Sequence, residues 1–183
     1  MTRSSRMETT IREIINPDPA DLALREEGFM VDEMLVLQAQ DNHITYTIQP
    51  VTPYRKSYQT GQEEDTLYPG EGDRTAFIAF VEETRAGRLL IKKSWNNLAY
   101  IDDLCVDAAF RGQGIGARLM ICAEEWARRS HLPGIMLETQ NINTAACRLY
   151  ARCGFKLCGF DTHLYKALPN VQDEIALYWY KML

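Results

Sequence analysis

Apolar positions along the chain recur with two different periods, and these periods separate predicted strands from predicted helices. Residues 43–51 alternate apolar and polar side chains, which predicts a strand that ends at Pro50 and Pro53. Apolar runs and alternation predict further strands over residues 75–82, 88–95, 98–106, 135–137, 156–165 and 175–181. We expect the first three of these to be antiparallel, with turns at Ala86-Gly87 and Asn96-Asn97.

A helical period of 3.6 residues dominates residues 117–129. The apolar face of this predicted helix consists of Leu119, Met120, Ala123, Trp126 and Ala127. Residues 145–153 form a second predicted helix, with Asn143 as its N-cap and Gly154 as its stop. Together the elements predict an α/β fold in which helices flank a mixed sheet.

The first part of the chain gives weaker patterns. Residues 19–27 predict a short helix that is capped by Asp18 or Asn16 and stopped by Gly28. Residues 29–38 fit either another helix or irregular structure. Residues 1–18 are polar and expected to be loose, and residues 59–75 are predicted to form a long loop of the kind that is often functional or mobile.

Composition narrows the class of protein. A chain of 183 residues, 46% hydrophobic and 25% charged, predicts one globular domain over residues 1–183. The net charge of −5 disfavours a nucleic-acid surface and favours cationic small molecules as partners. The sequence contains neither an apolar run of membrane-spanning length nor the apolar stretch of a signal peptide, so we expect no membrane partner and a cytoplasmic location.

The cysteines at positions 105, 122, 147, 153 and 158 lack the spacing of a metal site. We therefore expect them to be packing residues in a reducing compartment, and we expect no metal. Whether the chain forms a homodimer is left open.

The candidate chemistry begins at Arg111-Gly112-Gln113-Gly114-Ile115-Gly116, between a predicted strand and a predicted helix. Bare backbone N–H groups at a helix start, with the helix dipole behind them, predict a phosphate or pyrophosphate site. No Lys-Ser or Lys-Thr follows, which excludes a P-loop, and the glycine spacing differs from that of a dinucleotide fingerprint. A glycine-rich turn without a ligand remains an alternative at this point.

A second motif lies about 30 residues downstream. It consists of Asn143-x-x-Ala146-x-x-x-Tyr150, followed by Gly154-Phe155. Arg111-x-x-Gly114-x-Gly116 together with this segment resembles the acyl-CoA-binding core of the GNAT N-acetyltransferases. The resemblance implies the GNAT fold, whose mixed, mostly antiparallel twisted sheet is flanked by helices, and acetyl-CoA as co-substrate.

Within that family the chain resembles the streptothricin (nourseothricin) acetyltransferases from about residue 57 to its end. The segments that carry the likeness are residues 57–59, 95–97, 100–106, 137–140, 153–156 and 177–180. The resemblance implies acetylation of a primary amine of a cationic antibiotic, at the β-lysine moiety of streptothricin.

The resemblance also implies roles for individual residues. Backbone groups of Leu104, Cys105 and Val106 would bind the pantetheine arm and the thioester oxygen, and the N–H groups of residues 111–116 would hold the pyrophosphate. Asn143 would bond the coenzyme arm, and Tyr150 would act as general acid toward the leaving thiolate. Asn143 as a plain helix cap is compatible with its binding role.

The attacking amine must lose a proton, and three carboxylates are candidates for that step or for binding the cationic substrate. They are Asp102, Asp103 and Glu138. Strand alternation predicts that Asp102 and Asp103 point to opposite faces of the sheet. The acidic residues 63–65, Arg148 or Arg152 near a coenzyme phosphate, and the aromatic residues 178–180 are secondary candidates. A polyamine or protein-lysine acceptor, and an acyl-CoA-binding module without catalysis, stay open as alternatives.

Overall fold

The computed structural model describes residues 8–24, 28–58 and 74–183. Most of the predicted loop 59–75, with its acidic residues 63–65, lies outside these ranges, as do residues 1–7 and residues 25–27. The expectation of a loose segment over residues 1–18 is wrong for Thr9–Ile15, which form a strand of the main sheet. The helix predicted over residues 19–27 ends at Leu22, well before Gly28.

The described strands are β1 (Thr9–Ile15), β2 (Phe29–Gln40), β3 (His43–Lys56), β4 (Arg74–Val81), β5 (Thr84–Lys93), β6 (Ala99–Val106), β7 (Gly134–Gln140), β8 (Lys156–Asp161) and β9 (Ala176–Met182). The α-helices in the same ranges are α1 (Pro19–Leu22), α2 (Ile115–Arg129) and α3 (Thr144–Arg152). A single turn of 3-10 helix, Ala108–Phe110, connects β6 to the glycine-rich segment.

Seven strands form one sheet in the order β1-β4-β5-β6-β7-β9-β8. The β6–β7 pair is parallel, and every other pair in this sheet is antiparallel. The prediction of a mixed, mostly antiparallel sheet with flanking helices is therefore confirmed. The strands β2 and β3 form a separate two-stranded sheet.

The amphipathic pattern of α2 decides how it packs. The five residues of its predicted apolar face are all buried, in one core with inward-facing residues of β4 to β7. In that core Trp126 Nε1 donates to Thr75 Oγ1 at 3.0 Å, which satisfies the indole nitrogen. The other face of β4 and β5 carries Ile78 and Leu90, which pack with Leu22 of α1. Helices thus cover both faces of the antiparallel half of the sheet.

The hairpin of β2 and β3 corrects the expectation for residues 29–38. Phe29–Gln40 is a strand rather than a helix or irregular segment, and Asp41 and Asn42, both with positive φ, form its two-residue turn. Val31 pairs with Tyr54 and Glu33 pairs with Pro50, so the irregularity adds residues to β3 and leaves β2 regular. The strand pattern of β2 is obscured because apolar side chains such as Met30 and Val36 also lie on its exposed face.

The hairpin also corrects the expected end of β3. This strand continues through Pro50 and Pro53 to Lys56, because a two-stranded sheet leaves one edge of each strand unpaired and proline is tolerated there.

Two other boundaries differ from expectation. The turn between β4 and β5 lies at Glu82-Glu83, whereas the predicted turn residues Ala86-Gly87 are inside β5. Glycine is required at position 87 by close packing, because a Cβ there would crowd Cys105 O and the Ile115 side chain. The strand predicted over 156–165 stops at Asp161, so Tyr165 lies in the loop before β9.

Other local predictions are confirmed. Asp18 caps α1 with reciprocal side-chain bonds to Asp21, and Asn143 caps α3. Gly154, at φ +86°, ends α3 while Phe155 N donates to Tyr150 O at 3.0 Å. No helix in the described ranges is both long and apolar enough to cross a membrane.

Candidate active site

The site begins where β6 and β7 separate. These parallel strands pair only through Ala99 with Ile135, Tyr100 with Met136, and Ile101 with Leu137. Beyond that point each strand remains paired only to its other neighbour, β5 or β9. A cavity of about 1000 Å³ opens between the two strand ends, and its walls also include the starts of β2 and α2 and one side of α3. Carboxyl ends of diverging strands are a common position for ligand sites.

The glycine-rich segment forms one wall of this cavity. Gly112 and Gly114 have φ of +76° and +83°, and a Cβ at either position would meet no atom within 4 Å. Gly114 is the N-cap of α2 and offers no side-chain cap, and the first intrahelical bond runs from Arg118 N to Gly114 O. The N–H groups of the first turn are therefore left at the cavity wall with the positive end of the helix dipole, an arrangement that suits a phosphate.

The Arg111 guanidinium fixes this wall to two other segments. Its Nε donates to Val106 O at 2.9 Å and one terminal nitrogen donates to Gly28 O at 2.8 Å. Gly28 has φ +71°, and a Cβ there would overlap the carbonyl oxygen of Lys56. Arg111 thus joins the end of β6 to the base of the hairpin, and it also leaves positive charge beside the glycines.

Asn143, the N-cap of α3, and Tyr150 are among the residues at this helix that line the cavity. Asn143 Oδ1 accepts from Ala146 N at 3.3 Å as the helix cap, while its amide nitrogen has no hydrogen-bond partner in the described part of the chain. Tyr150 lines the cavity in the last turn of the helix, is 6% exposed, and packs against the rings of Phe155 and Trp179. Within residues 8–24, 28–58 and 74–183, no group is hydrogen-bonded to the Tyr150 hydroxyl. Burial raises the pKa of Tyr150 above its usual value, so the hydroxyl keeps its proton.

The two aspartates of β6 point to the same face of the sheet, which corrects the expectation of opposite faces. A β-bulge leaves Asp102 without a partner on β5, because Asp103 pairs with Leu90 and Ile101 pairs with Ile91. Asp102 lies 2.8 Å from Lys92 Nζ, and Asp103 accepts from Arg88 Nε at 2.7 Å. Arg88 and Lys92 are four residues apart on β5 and therefore share one face. Both aspartates line the cavity, but each already has a cation beside it.

Glu138 of β7 has different surroundings. It lines the cavity, and Tyr165 donates its hydroxyl hydrogen to Glu138 Oε1. In the described ranges no lysine, arginine or histidine forms an ion pair with this carboxylate. Burial raises the pKa of Glu138, while the hydrogen bond from Tyr165 opposes that rise. Within the described part of the chain, Glu138 is thus a partly desolvated carboxylate on the cavity wall without a cationic partner.

Several cavity residues were missed by the motif analysis. Phe29 and Tyr58 form an aromatic pair with ring centroids 6.1 Å apart, and both line the cavity. The Tyr58 hydroxyl donates to Glu174, a buried carboxylate that also pairs with Lys56. Phe29 lies in residues 29–38, for which the sequence predicted a helix or irregular structure instead of a strand. The family likeness at residues 57–59 is the one sequence signal that includes Tyr58.

The remaining predicted residues divide by position. Leu104, Cys105, Val106, Ile115 and Gly116 line the cavity, whereas Gln113 does not and instead donates to Ala109 O. Arg148 and Arg152 both line the cavity, and Arg148 also pairs with Glu33 of β2 at 2.5 Å.

The aromatic residues 178–180 do not line the cavity. Trp179 is buried in the core, and Tyr178 and Tyr180 are half-buried outside the cavity. None of the five cysteines forms a disulfide, and no metal-binding cluster occurs among the residues that the structure describes.

Comparison with known proteins gives a consistent family. The acetyltransferase (GNAT) family model matches residues 41–155. Streptothricin acetyltransferase of Escherichia coli is 35% identical over 167 residues, which are 91% of this chain and 92% of that protein. Streptothricin acetyltransferase A of Bacillus subtilis strain 168 is 37% identical over 155 residues, covering 84% and 88% of the two chains.

Solved structures show the same likeness in three dimensions. A provisionally named streptothricin acetyltransferase of Bacillus anthracis strain Ames, crystallised with acetyl coenzyme A, superposes with a TM-score of 0.83 at 38% identity. The match covers 96% of this chain and all of that one. A nourseothricin acetyltransferase superposes with a TM-score of 0.76 at 28% identity, covering 94% and 98% of the two chains.

Proposed function

Because the chain belongs to the GNAT acetyltransferase family, we propose that it acetylates streptothricin at the amine of its β-lysine moiety and so confers resistance to this antibiotic. Its co-substrate is acetyl-CoA, which supplies the acetyl group as a reactive thioester. The observation that carries the proposal is one cavity with a bare helix N-terminus on one wall and Glu138, a carboxylate without a cationic partner among the described residues, on another. Such a cavity suits an anionic coenzyme and a cationic amine together.

The coenzyme side of the proposal rests on how the first turn of α2 is built. Backbone N–H groups of residues 112–116 would bind the pyrophosphate, because the open space beside Gly112 and Gly114 lets oxygen atoms approach the backbone. The backbone of residues 104–106, at the unpaired edge of β6, would bind the coenzyme arm and the thioester oxygen. The amide nitrogen of Asn143, which has no hydrogen-bond partner among the described residues, adds a donor on another wall of the same cavity.

Tyr150 is our proposed general acid. Its hydroxyl is protonated near neutral pH, as a phenol of pKa about 10 is, and burial raises the pKa further. The described part of the protein makes no competing hydrogen bond to it. A phenol in this state donates a hydrogen bond, and then a proton, to a thiolate that leaves beside it.

Glu138 is our proposed partner of the acceptor amine. An alkylammonium group has a pKa of about 10.4, so its deprotonation near neutral pH costs roughly 4 kcal/mol. A carboxylate whose pKa is raised by burial accepts a proton more readily than an exposed one. Asp102 and Asp103 are less suited to this step, because Lys92 and Arg88 already balance their charges.

The proposal extends to the compartment. None of the five cysteines forms a disulfide in the structure, which fits a reducing environment, so we propose that the enzyme acts in the cytoplasm.

A direct assay tests the proposal. Purified protein, acetyl-CoA and streptothricin should release free CoA thiol, and mass spectrometry of the product should find the acetyl group on the β-lysine amine. Release no greater than the antibiotic-free background would reject the function. A panel of polyamines and lysine peptides distinguishes the other amine acceptors by kcat/KM. In a sensitive host, expression of the wild type should raise the inhibitory concentration, and Tyr150→Phe should do so much less.

A further inference from the structure

Tyr165 stands behind Glu138, as seen from the cavity. Its side chain is buried, at 7% exposure, in the loop between β8 and β9, and it does not line the cavity. Its hydroxyl donates to Glu138 Oε1, and Gln140 Nε2 lies 3.4 Å from the same hydroxyl oxygen. We infer that Tyr165 is a positioning residue that holds Glu138 in place for the acceptor amine, an inference that rests on the proposed function.

The two hydrogen bonds of the Tyr165 hydroxyl determine which partner receives its hydrogen. The Gln140 amide nitrogen can only donate, so the phenol oxygen accepts from it and directs its single hydrogen to Glu138. Glu138 and Gln140 are two residues apart on β7 and share one face, so the strand brings both to the same ring. One carboxylate oxygen of Glu138 is thereby committed to Tyr165, and its other oxygen is left for an ammonium group.

The groups around Glu138 show how the Tyr165 hydroxyl changes the pKa of this carboxylate. The titratable groups that face this carboxylate are Tyr100 on β6, Asp161 on β8, Tyr178 on β9 and Tyr165 itself. Burial and the negative charge of Asp161 both raise the pKa of Glu138, and the hydroxyl of Tyr165 lowers it. The pKa of Tyr165 is itself raised, first by burial and then by Glu138, so the phenol stays protonated while Glu138 ionises.

Loss of the Tyr165 hydroxyl should raise the pKa of Glu138 and so reduce activity at low pH. Glu138 must be ionised to pair with an ammonium group and take its proton. Loss of the Tyr165 hydroxyl removes a group that favours the charged carboxylate, so the pKa of Glu138 rises. A higher fraction of protonated, inactive enzyme then persists at a given pH, and the acidic limb of the rate profile moves to higher pH.

Tyr165→Phe tests the inference because it removes one oxygen and keeps the ring. We expect kcat/KM for the amine to fall about tenfold near neutral pH, with the acidic limb moved up by about one pH unit. The KM for acetyl-CoA should be unchanged. The matched control is Tyr178→Phe: Tyr178 pairs directly with Glu138 across β7 and β9 but makes no hydrogen bond to it in the described structure. This control should keep the wild-type pH profile.

A double mutant separates positioning from a general structural role. If Tyr165 acts through Glu138, then Tyr165→Phe added to Glu138→Gln should reduce kcat/KM by less than about twofold. An additive loss, or a wild-type pH profile for Tyr165→Phe, would overturn the inference. Should Tyr165→Phe not fold, Gln140→Ala should move the acidic limb in the same direction by less, and an unmoved limb there would equally overturn it. Failure of the wild type to acetylate streptothricin would instead reject the proposed function.

Discussion

The ammonium group of Lys92 lies 2.8 Å from the carboxylate of Asp102, on the neighbouring strand. Asp102 is the extra residue of a β-bulge, so its side chain turns to the face of β5 that carries Lys92. Asp103 lies beside Arg88 on that same face. Two of the three acidic candidates therefore already have a positive partner, while Glu138 has only a tyrosine hydroxyl among the described residues.

This difference predicts an order of effects among the three carboxylates. Glu138→Gln should lower kcat/KM for the amine by about a hundredfold or more, since it removes the group proposed to accept the amine proton. Asp102→Asn and Asp103→Asn should cost no more than several-fold. Steady-state kinetics at saturating acetyl-CoA, with thermal unfolding of each variant as the folding control, gives the comparison. A larger loss of kcat/KM in Asp102→Asn than in Glu138→Gln would indicate that the amine binds beside Asp102 of β6 and not beside Glu138 of β7.

Removal of the Tyr150 hydroxyl should separate binding from turnover. We expect Tyr150→Phe to lower kcat about a hundredfold and to leave the affinity for acetyl-CoA unchanged, because general-acid catalysis contributes about 10²–10⁴-fold. Calorimetric titration with acetyl-CoA and single-turnover kinetics measure the two quantities. Tyr180→Phe, which changes a half-buried tyrosine outside the cavity, is the matched control. Full turnover by Tyr150→Phe would remove the general-acid assignment.

The glycine-rich segment predicts a substitution that weakens coenzyme binding. Gly114→Ala places a Cβ in the space proposed for the pyrophosphate, and its φ of +83° costs about 1–2 kcal/mol in a residue other than glycine. We expect lower thermal stability and a KM for acetyl-CoA raised at least tenfold. Gly154→Ala has a similar strain, at φ +86°, but lies outside the cavity lining. It should lose stability without changing that KM, and an equal rise in KM for both variants would argue against the phosphate site.

Asn141 predicts an effect on stability rather than chemistry. This side chain is 1% exposed, accepts from Ile175 N at 2.9 Å and donates to Leu35 O at 3.4 Å, so it joins the hairpin to the main sheet. Asn141→Ala leaves buried backbone groups without partners and should cost about 2–4 kcal/mol in the free energy of unfolding. Urea denaturation measures this loss. Asn96→Ala, at a half-buried turn where Asn96 accepts from Leu98 N, should cost about 1 kcal/mol or less.

Much of the catalytic half of the fold was predictable from the sequence because its signals are local. The apolar face of α2, the Asn143 cap and the Gly154 stop each depend on residues a few positions apart, and all three are confirmed. The glycine-rich segment is equally local, since left-handed backbone at positions 112 and 114 requires only the glycines themselves.

The acceptor half was harder to predict because its structure depends on distant pairing. A β-bulge in β6 adds one residue and changes the face to which the neighbouring side chains point, and a register irregularity in the hairpin adds residues to β3. The faces of Asp102 and Asp103 were therefore wrong from alternation alone. Tyr165 reaches Glu138 over 27 positions in the chain, a relationship that no short motif records.

The three residue pairs between β6 and β7 have a mechanical consequence. In the main sheet, these three pairs join two groups of strands, β1-β4-β5-β6 and β7-β9-β8. The glycine-rich segment follows β6 and Tyr150 lies on the helix that follows β7, so these two walls of the cavity belong to different groups of strands. Under the proposed roles, the distance between Tyr150 and a thioester bound at the end of β6 therefore depends on the angle that these three residue pairs hold.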